Sequence, residues 1–186
     1  NMDDLFSFAN YLPEQYTIIS LQAPIESPFG GGAWYSINFD SNSEKWSDND
    51  EAKSSLVKII DQLDYFTSTY ELNPRDISLI GFSQGAILSW ALLLDHSFLF
   101  RRAVCMSGYI NHEILQKPLR EYQDVLAYCS HGSNDLTIPY EWAKSSIEYL
   151  KVKNPEVVFK TYPDGHNLSP ENFESFLKWI KKTTLE

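Results

Sequence analysis

The sequence predicts an α/β fold with a mainly parallel central sheet flanked by helices. Short runs rich in β-branched and apolar residues alternate with longer segments in which apolar residues recur at helical spacing. Such alternation is typical of βαβ units, whose parallel strands bring their carboxyl ends to one edge of the sheet. The 186 residues, 43% of them hydrophobic, suit one compact domain spanning residues 1–186.

The predicted elements follow one another along the whole chain. Strands are predicted at residues 17–21, 76–81, 102–106, 125–129 and 157–162. Helices are predicted at residues 51–70, 84–97 and 140–152. A last helix follows Ser169, because serine is a good N-cap and Pro170 suits the first helical position. Residues 40–51 are polar and are predicted to form a solvated loop.

Charge and cysteine content narrow the class of protein. The net charge of −10 argues against nucleic acid and anionic membrane surfaces as partners, since both require clustered Lys and Arg. No apolar run is long enough to span a bilayer. Cys105 and Cys129 lie in apolar, β-rich runs, which favours reduced structural thiols over a disulfide. These observations indicate a cytoplasmic protein without stable membrane association.

Residues 81–85 have the pattern G-x-S-x-G between a predicted strand and a predicted helix. In that context the serine lies on a turn so tight that its backbone is strained, and glycines allow the strand and helix to approach. The pattern arises often by chance, so the strand before it and the helix after it carry the prediction. We predict that Ser83 is a nucleophile and that the backbone amide of Gln84 faces a developing oxyanion.

Four histidines could supply the general base that a serine hydroxyl needs near neutral pH. His96 and His112 do not lie at predicted strand ends and are expected at a helix end and on the surface. His131 ends a strand, but the nearby carboxylate, Asp135, follows it in the chain. With a nucleophile on a strand-to-helix turn, the order is serine, acid, then histidine. His166, between the last strand and the last helix, is therefore the predicted base.

Two carboxylates compete to orient the imidazole of His166. Asp135 follows the strand at residues 125–129, whereas Asp164 lies in the turn sequence Pro163-Asp164-Gly165. A side chain two positions before the histidine points elsewhere, so Asp135 is favoured and Asp164 stays the alternative. His131 is expected to pack against the loop that carries Asp135, which is a structural role.

At these motifs the chain resembles the carboxylesterase/phospholipase family of α/β-hydrolases, which includes the acyl-protein thioesterases. The resemblance spans nearly the whole chain. It rests on Gln22-Ala23-Pro24, Gly31-Gly32-Ala33-Trp34-Tyr35, Gly81-Phe82-Ser83-Gln84-Gly85, His131-Gly132-Ser133-Asn134-Asp135 with Ile138-Pro139, and Asp164-Gly165-His166. It implies the α/β-hydrolase fold and a serine hydrolase that cleaves carboxylic esters or acyl thioesters, forms an acyl-enzyme and needs no metal or cofactor.

One segment of the family pattern is not found. The family carries H-G-x-G after its third strand, where a backbone amide gives the second oxyanion donor. Gly30-Gly31-Gly32 is a weaker candidate for that role, because it follows residues 17–21 and leads to Trp34, so a loop beside the pocket is expected. The resemblance makes residues 17–21 the fourth strand. It therefore implies that the third strand and the second donor lie upstream of Asn1, in a longer native chain.

The resemblance also indicates the kind of substrate. Many hydrolases insert a lid after the sixth strand, but here only residues 109–124 separate that strand from the next, which is too short for a lid domain. An open site suits a small-molecule ester or an acyl group carried by a larger molecule. Trp34, Tyr35 and Leu136 are candidate acyl-pocket residues, although such side chains equally often fill a core. The alternatives are a serine peptidase of the same fold and a catalytically inactive binding module.

Overall fold

A computed structural model describes residues 2–27, 30–39 and 45–185 of the chain. The chain divides into two compact units, Asn1–Leu72 and Asn73–Glu186. That residues 1–186 form a single domain stays a prediction. Among the described residues, none of the helices combines the length and the apolar character that crossing a membrane would require.

The first unit contains two antiparallel ribbons followed by a long helix. Its elements are α1 (Met2–Phe6), a 3₁₀ turn (Ala9–Tyr11), β1 (Ile25–Glu26), β2 (Gly32–Ala33), β3 (Ile37–Phe39), β4 (Lys45–Ser47) and α2 (Asn49–Thr69). β1 pairs with β2, and β3 pairs with β4. Gly30 and Gly31 lie between β1 and β2 with φ of +89° and +75°, a left-handed conformation that favours glycine. The helix predicted at residues 51–70 is confirmed by α2.

The strand predicted at residues 17–21 is not formed. These residues have no regular secondary structure, and none of the described strands pairs with them. The β-branched residues favour an extended backbone, but a strand also needs a neighbour to accept and donate its backbone hydrogen bonds. The assignment of residues 17–21 as a fourth strand is therefore wrong.

The solvated loop predicted at residues 40–51 is also wrong where the structure describes it. Residues 45–47 form β4, and α2 begins at Asn49, while residues 40–44 lie outside the described residues. The carboxylate of Asp48 accepts a hydrogen bond from the backbone amide of Glu51 at 3.0 Å and so caps the helix. The polar residues mistaken for a loop are therefore an N-cap and the first turn of a helix, where acidic side chains are stabilising.

The second unit is built on a parallel sheet of four strands in the order β5-β6-β7-β8. The strands and helices are β5 (Ser78–Phe82), α3 (Gln84–Asp95), β6 (Arg102–Met106), β7 (Ala127–Gly132), α4 (Tyr140–Lys151), β8 (Val158–Tyr162) and α5 (Pro170–Lys182). Every residue of β6 and β7 is buried, as expected of parallel strands covered on both faces. These elements confirm the predicted ones, with boundaries that shift by up to three residues.

The helix after β5 is the core of the second unit. In α3, every residue from 86 to 94 is buried, and the helix packs on β5 and β6. A helix that is apolar all round can only be stable when other elements cover it on every side. This burial fixes the N-terminal end of α3 at the carboxyl edge of the sheet.

A buried arginine anchors the last helix. Arg102, at the start of β6, is 1% exposed, and its guanidinium donates to the carbonyl of Ile180 at 2.8 Å and to the hydroxyl of Ser78 at 2.9 Å. It also contacts the hydroxyl of Thr183 and lies 5.9 Å from the ring of Trp179. The cation thus meets the carboxyl end of α5, where the helix dipole favours positive charge, and ties α5 to the sheet.

Candidate active site

Ser83 lies on the sharp turn between β5 and α3, and its backbone is strained. Its φ of +54° and ψ of −120° belong to a region that L-residues rarely adopt. Space around the turn is minimal: a Cβ at Gly81 would lie 2.3 Å from the carbonyl oxygen of Gly85. A Cβ at Gly108 would lie 2.6 Å from the Cβ of Ala86. Glycines at these two positions are therefore what lets strand, turn and helix pack so closely.

Backbone hydrogen bonds hold the turn against the neighbouring strand. The amide of Ser83 donates to the carbonyl of Met106 at 2.9 Å, and the carbonyl of Ser83 accepts from Ala86 and Ile87. Gln84 is the first residue of α3, so its amide lies at the positive end of the helix dipole. An anion that formed beside the Ser83 hydroxyl would be stabilised at this helix end.

His166 lies in the loop between β8 and α5 and reaches the Ser83 hydroxyl. Its Nε2 is 2.9 Å from Oγ of Ser83, within hydrogen-bonding distance. The imidazole is partly exposed and lies beside the ring of Phe82, with 5.0 Å between centroids. The ring is therefore close to the turn and keeps a part of its surface in contact with solvent.

Asp135 lies on the far side of His166 and is buried. Its Oδ2 is 2.7 Å from Nδ1 of His166, and its Oδ1 accepts backbone N–H groups from Thr137 at 2.8 Å and Ile138 at 2.9 Å. Burial alone would raise the pKa of Asp135. The hydrogen bonds from His166, Ile138 and Thr137 outweigh burial, so the pKa of this carboxyl lies below its usual range. The group is then a carboxylate near neutral pH.

The charge of Asp135 decides which nitrogen of His166 carries the proton. A carboxylate can only accept, so Nδ1 must donate, and Nε2 is left with a lone pair. That lone pair faces the Ser83 hydroxyl, which can donate to it. In this geometry a proton can pass from the Ser83 hydroxyl to Nε2 of His166. Asp164, the rival acid, instead uses its backbone carbonyl, which accepts from the amide of Asn134 at 2.9 Å.

The two loops that carry Asp135 and His166 are in direct contact. The amide of Ser133 donates to the carbonyl of Tyr162 at 2.8 Å. A Cβ at Gly132 would lie 2.3 Å from the carbonyl oxygen of Gly165 and 2.4 Å from that of Asp164. The contact is backbone on backbone, so it leaves no room for a side chain at residue 132.

Gly132→Ala is therefore expected to displace the loop that carries His166. Overpacking of this kind costs about 1–3 kcal/mol of stability, and a shift of the imidazole by about 1 Å can lower kcat by about 10². A thermal melt and steady-state turnover of an ester substrate measure the two effects. Gly165→Ala is the matched control, because its Cβ would meet only ordinary contacts at 3.7 and 3.9 Å. Equal turnover in both variants would contradict the close approach.

A buried polar network, which sequence reasoning did not single out, fixes both ends of the His166 loop. The hydroxyl of Tyr128 donates to Oδ1 of Asn172 at 3.2 Å and lies 3.1 Å from the hydroxyl of Tyr162. The side-chain amide nitrogen of Asn172 donates to the hydroxyl of Ser130 at 2.9 Å. β7 thereby holds the last residue of β8 and the first turn of α5. The sequence signal that could have revealed this network is the presence of polar residues inside an otherwise apolar strand.

The remaining predicted residues lie in different parts of the chain. Trp34 and Tyr35 belong to the first unit, where Tyr35 is buried and the carbonyl of Trp34 accepts from the hydroxyl of Ser55. Leu136 follows Asp135 and is 98% exposed. The acyl-pocket role of all three stays a prediction. His96 ends α3 and His112 is exposed, as expected from the sequence.

The two cysteines are buried within the sheet. Cys105 and Cys129 are register neighbours on β6 and β7, both buried and both free. Burial raises the pKa of each thiol well above its usual value, so the reactive thiolate is suppressed. Among the described residues, no group of three or more His, Cys, Asp and Glu is placed to hold a metal ion.

A parallel sheet with a serine on the strained turn between β5 and α3 defines the α/β-hydrolase fold, which the sequence predicted. Residues 5–184 match the model of the phospholipase/carboxylesterase family. The chain belongs to this family, and it is a hydrolase of the esterase and thioesterase type.

Known proteins agree with this assignment. The chain is 25% identical to acyl-protein thioesterase 1 of Cryptococcus neoformans, over 91% of this chain and 77% of that protein. It is 28% identical to acyl-protein thioesterase 1 homolog 1 of Dictyostelium discoideum, over 87% of this chain and 74% of that protein. The crystal structure of the Bacillus cereus carboxylesterase superposes with a TM-score of 0.78 at 16% identity, covering 99% of this chain and 84% of that one, which shows a common fold.

Proposed function

We propose that this chain hydrolyses carboxylic esters or acyl thioesters through a Ser83–His166–Asp135 triad and an acyl-enzyme intermediate. The observation that carries the proposal is the line of contacts from Oγ of Ser83 to Nε2 of His166 at 2.9 Å, and from Nδ1 to Asp135 at 2.7 Å. The strained turn supports it, because rare backbone conformations concentrate at functional sites.

The geometry suits nucleophilic acyl transfer. Oγ of Ser83 attacks the acyl carbon while Nε2 of His166 takes the hydroxyl proton, and the carbonyl oxygen becomes an oxyanion beside the amide of Gln84. Collapse expels the alkoxide or thiolate, which receives the proton from Nε2, and leaves an ester on Ser83. Water then attacks that ester, again giving its proton to Nε2, and the acid leaves as Ser83 recovers its proton. Asp135 stays ionised throughout and stabilises the imidazolium.

The substrates are small-molecule esters or acylated molecules, with the acyl chain extending along an open rim. Residues 107–126, between β6 and β7, hold two 3₁₀ turns, His112–Ile114 and Leu119–Glu121, and no lid domain. Leu136 presents an almost fully exposed apolar side chain one residue from Asp135. The relatives named acyl-protein thioesterases support a thioester among the substrates.

A chain-length series tests this function. We expect turnover of p-nitrophenyl esters from acetate to octanoate and of an acyl thioester, with kcat/KM depending on chain length. A fluorophosphonate probe should label the protein once, on Ser83. Labelling without ester or thioester turnover, together with cleavage of a peptide p-nitroanilide, would favour the serine peptidase. Neither labelling nor turnover would favour the inactive binding module.

We also propose that the protein works in the cytoplasm. The free state of Cys105 and Cys129 supports this, since they lie in register on adjacent strands and stay unlinked.

A further inference from the structure

A second histidine lies against the carboxylate of Asp135. His131, in β7, is buried, and its Nε2 is 2.9 Å from the backbone carbonyl of Ile138 and 3.3 Å from Oδ2 of Asp135. Oδ2 is the same oxygen that Nδ1 of His166 approaches from the other side. His131 therefore touches the group that orients the proposed base, but no part of it is accessible to substrate.

The contact with Ile138 fixes the tautomer of His131. A carbonyl oxygen can only accept, so Nε2 carries the proton and donates it. Nδ1 is buried, and in the described part of the chain no partner lies within hydrogen-bonding distance of it. The Nε2 edge of the ring therefore faces both the carbonyl of Ile138 and the Asp135 carboxylate.

His131 also closes a ring of hydrogen bonds around the turn at residues 135–138. The carbonyl of Ile138 accepts from His131, while the amide of Ile138 donates to Oδ1 of Asp135. The backbone carbonyl and the backbone amide of Ile138 are thus both held by hydrogen bonds, and the amide in turn holds the carboxylate of Asp135. From α4, the ring of Tyr140 packs edge-on against the imidazole with 6.2 Å between centroids, which limits its rotation.

We propose that His131 is a positioning residue that sets the orientation of Asp135, and through it the tautomer of His166. The expected effect on catalysis rests on the proposed function. The expected effect on the orientation of Asp135 does not, because it can be measured without any turnover. The N–H of His131 holds the turn that supplies the amide of Ile138, and its positive end lies beside Oδ2. Losing it frees the carboxylate to rotate, so Nδ1 of His166 is no longer held as a donor.

Two substitutions separate this role from simple packing. His131→Leu fills the space without a donor, whereas His131→Gln retains an N–H near the position of Nε2. We expect kcat to fall about 10²-fold in the leucine variant with KM nearly unchanged, and glutamine to restore kcat to within about tenfold of wild type. Assays are run well below the melting midpoint of each variant, so that stability does not set the rate. The same two substitutions at the exposed His112 are the matched control and should change nothing.

A proton NMR spectrum gives a readout that needs no turnover. The proton shared by His166 and Asp135 resonates downfield of ordinary amides when the hydrogen bond is short and shielded from exchange. We expect that signal in wild type and in His131→Gln, and its loss or broadening in His131→Leu. Unchanged kcat and an unchanged signal in the leucine variant would overturn the proposal. So would an equal loss of kcat in the leucine and glutamine variants, which a packing role predicts.

Failure of the proposed function looks different. Wild-type protein that neither turns over esters nor reacts with a fluorophosphonate, yet shows the downfield signal and its dependence on residue 131, would refute the esterase and leave the positioning role standing. Wild-type protein that hydrolyses esters, but whose downfield signal is the same in all variants at residue 131, would support the esterase and refute the positioning role.

Discussion

Ser83→Ala is expected to lower kcat for ester hydrolysis by as much as about 10⁶, the cost of losing the nucleophile of a serine triad. The attacking atom is removed, so His166 has no hydroxyl to deprotonate. Alanine at φ +54° carries the same strain as serine, so the melting temperature should change little. Steady-state ester turnover, together with fluorophosphonate labelling and a thermal melt, measures the three quantities.

Ser107→Ala is the matched control for this experiment. Ser107 also follows a strand, also has a positive φ of +51° and is buried, and among the described residues its hydroxyl has no hydrogen-bond partner. Removing a buried hydroxyl that makes no hydrogen bond should be nearly neutral or stabilising. If Ser83→Ala keeps more than a tenth of wild-type turnover while Ser107→Ala leaves turnover unchanged, Ser83 is not the nucleophile.

Asp135→Asn is expected to lower turnover by about 10⁴ by favouring the wrong tautomer of His166. An asparagine amide placed at Oδ2 would donate to Nδ1, so the imidazole proton would move to Nε2 and point at the Ser83 hydroxyl. The base would then have no lone pair for the serine proton. Rates measured with one p-nitrophenyl ester, at equal concentrations of folded protein, give the comparison.

Asp164→Asn separates the two candidate acids. Asp164 contributes its backbone carbonyl to the contact with Asn134, and asparagine retains that carbonyl. This variant should therefore keep nearly all of its turnover. The opposite ranking, a large loss at residue 164 and a small one at residue 135, would move the acid of the triad to Asp164.

The strands and helices that sequence patterns predicted best are those whose own residues decide the structure. The strand at residues 102–106 is observed with those bounds, because a short apolar run between a helix and a turn has few alternatives. The last helix begins at Pro170 after Ser169, as capping chemistry predicts, and the Ser169 hydroxyl accepts from the amide of Asn172. The serine turn follows from Gly81, where a Cβ would lie 2.3 Å from the carbonyl oxygen of Gly85.

The predictions that failed are those that depend on contacts between residues far apart in the sequence, because sequence patterns do not show which segments meet. Residues 17–21 have β propensity but find no partner among the described strands, whereas residues 45–47, in a polar stretch, pair with β3. His131 contacts the backbone carbonyl of Ile138. Every residue type has such a carbonyl, so the sequence gives no sign of this contact. Sequence alone therefore placed His131 beside the Asp135 loop but could not show which atoms it touches.

The buried Arg102 has a consequence for the order in which the protein is made. Residues 166 and 170–182 leave the ribosome after all four strands of the parallel sheet, yet the guanidinium donates to the carboxyl end of α5. Until that helix emerges, the guanidinium at the start of β6 can reach the Ser78 hydroxyl but lacks its partners in α5, so water takes their place and this part of the sheet stays hydrated and loosely packed. The nascent chain therefore gains its last helix, its dehydrated arginine and its proposed imidazole base together. Under the proposed mechanism, a ribosome-bound chain that lacks these residues would not hydrolyse esters, even with its serine turn complete.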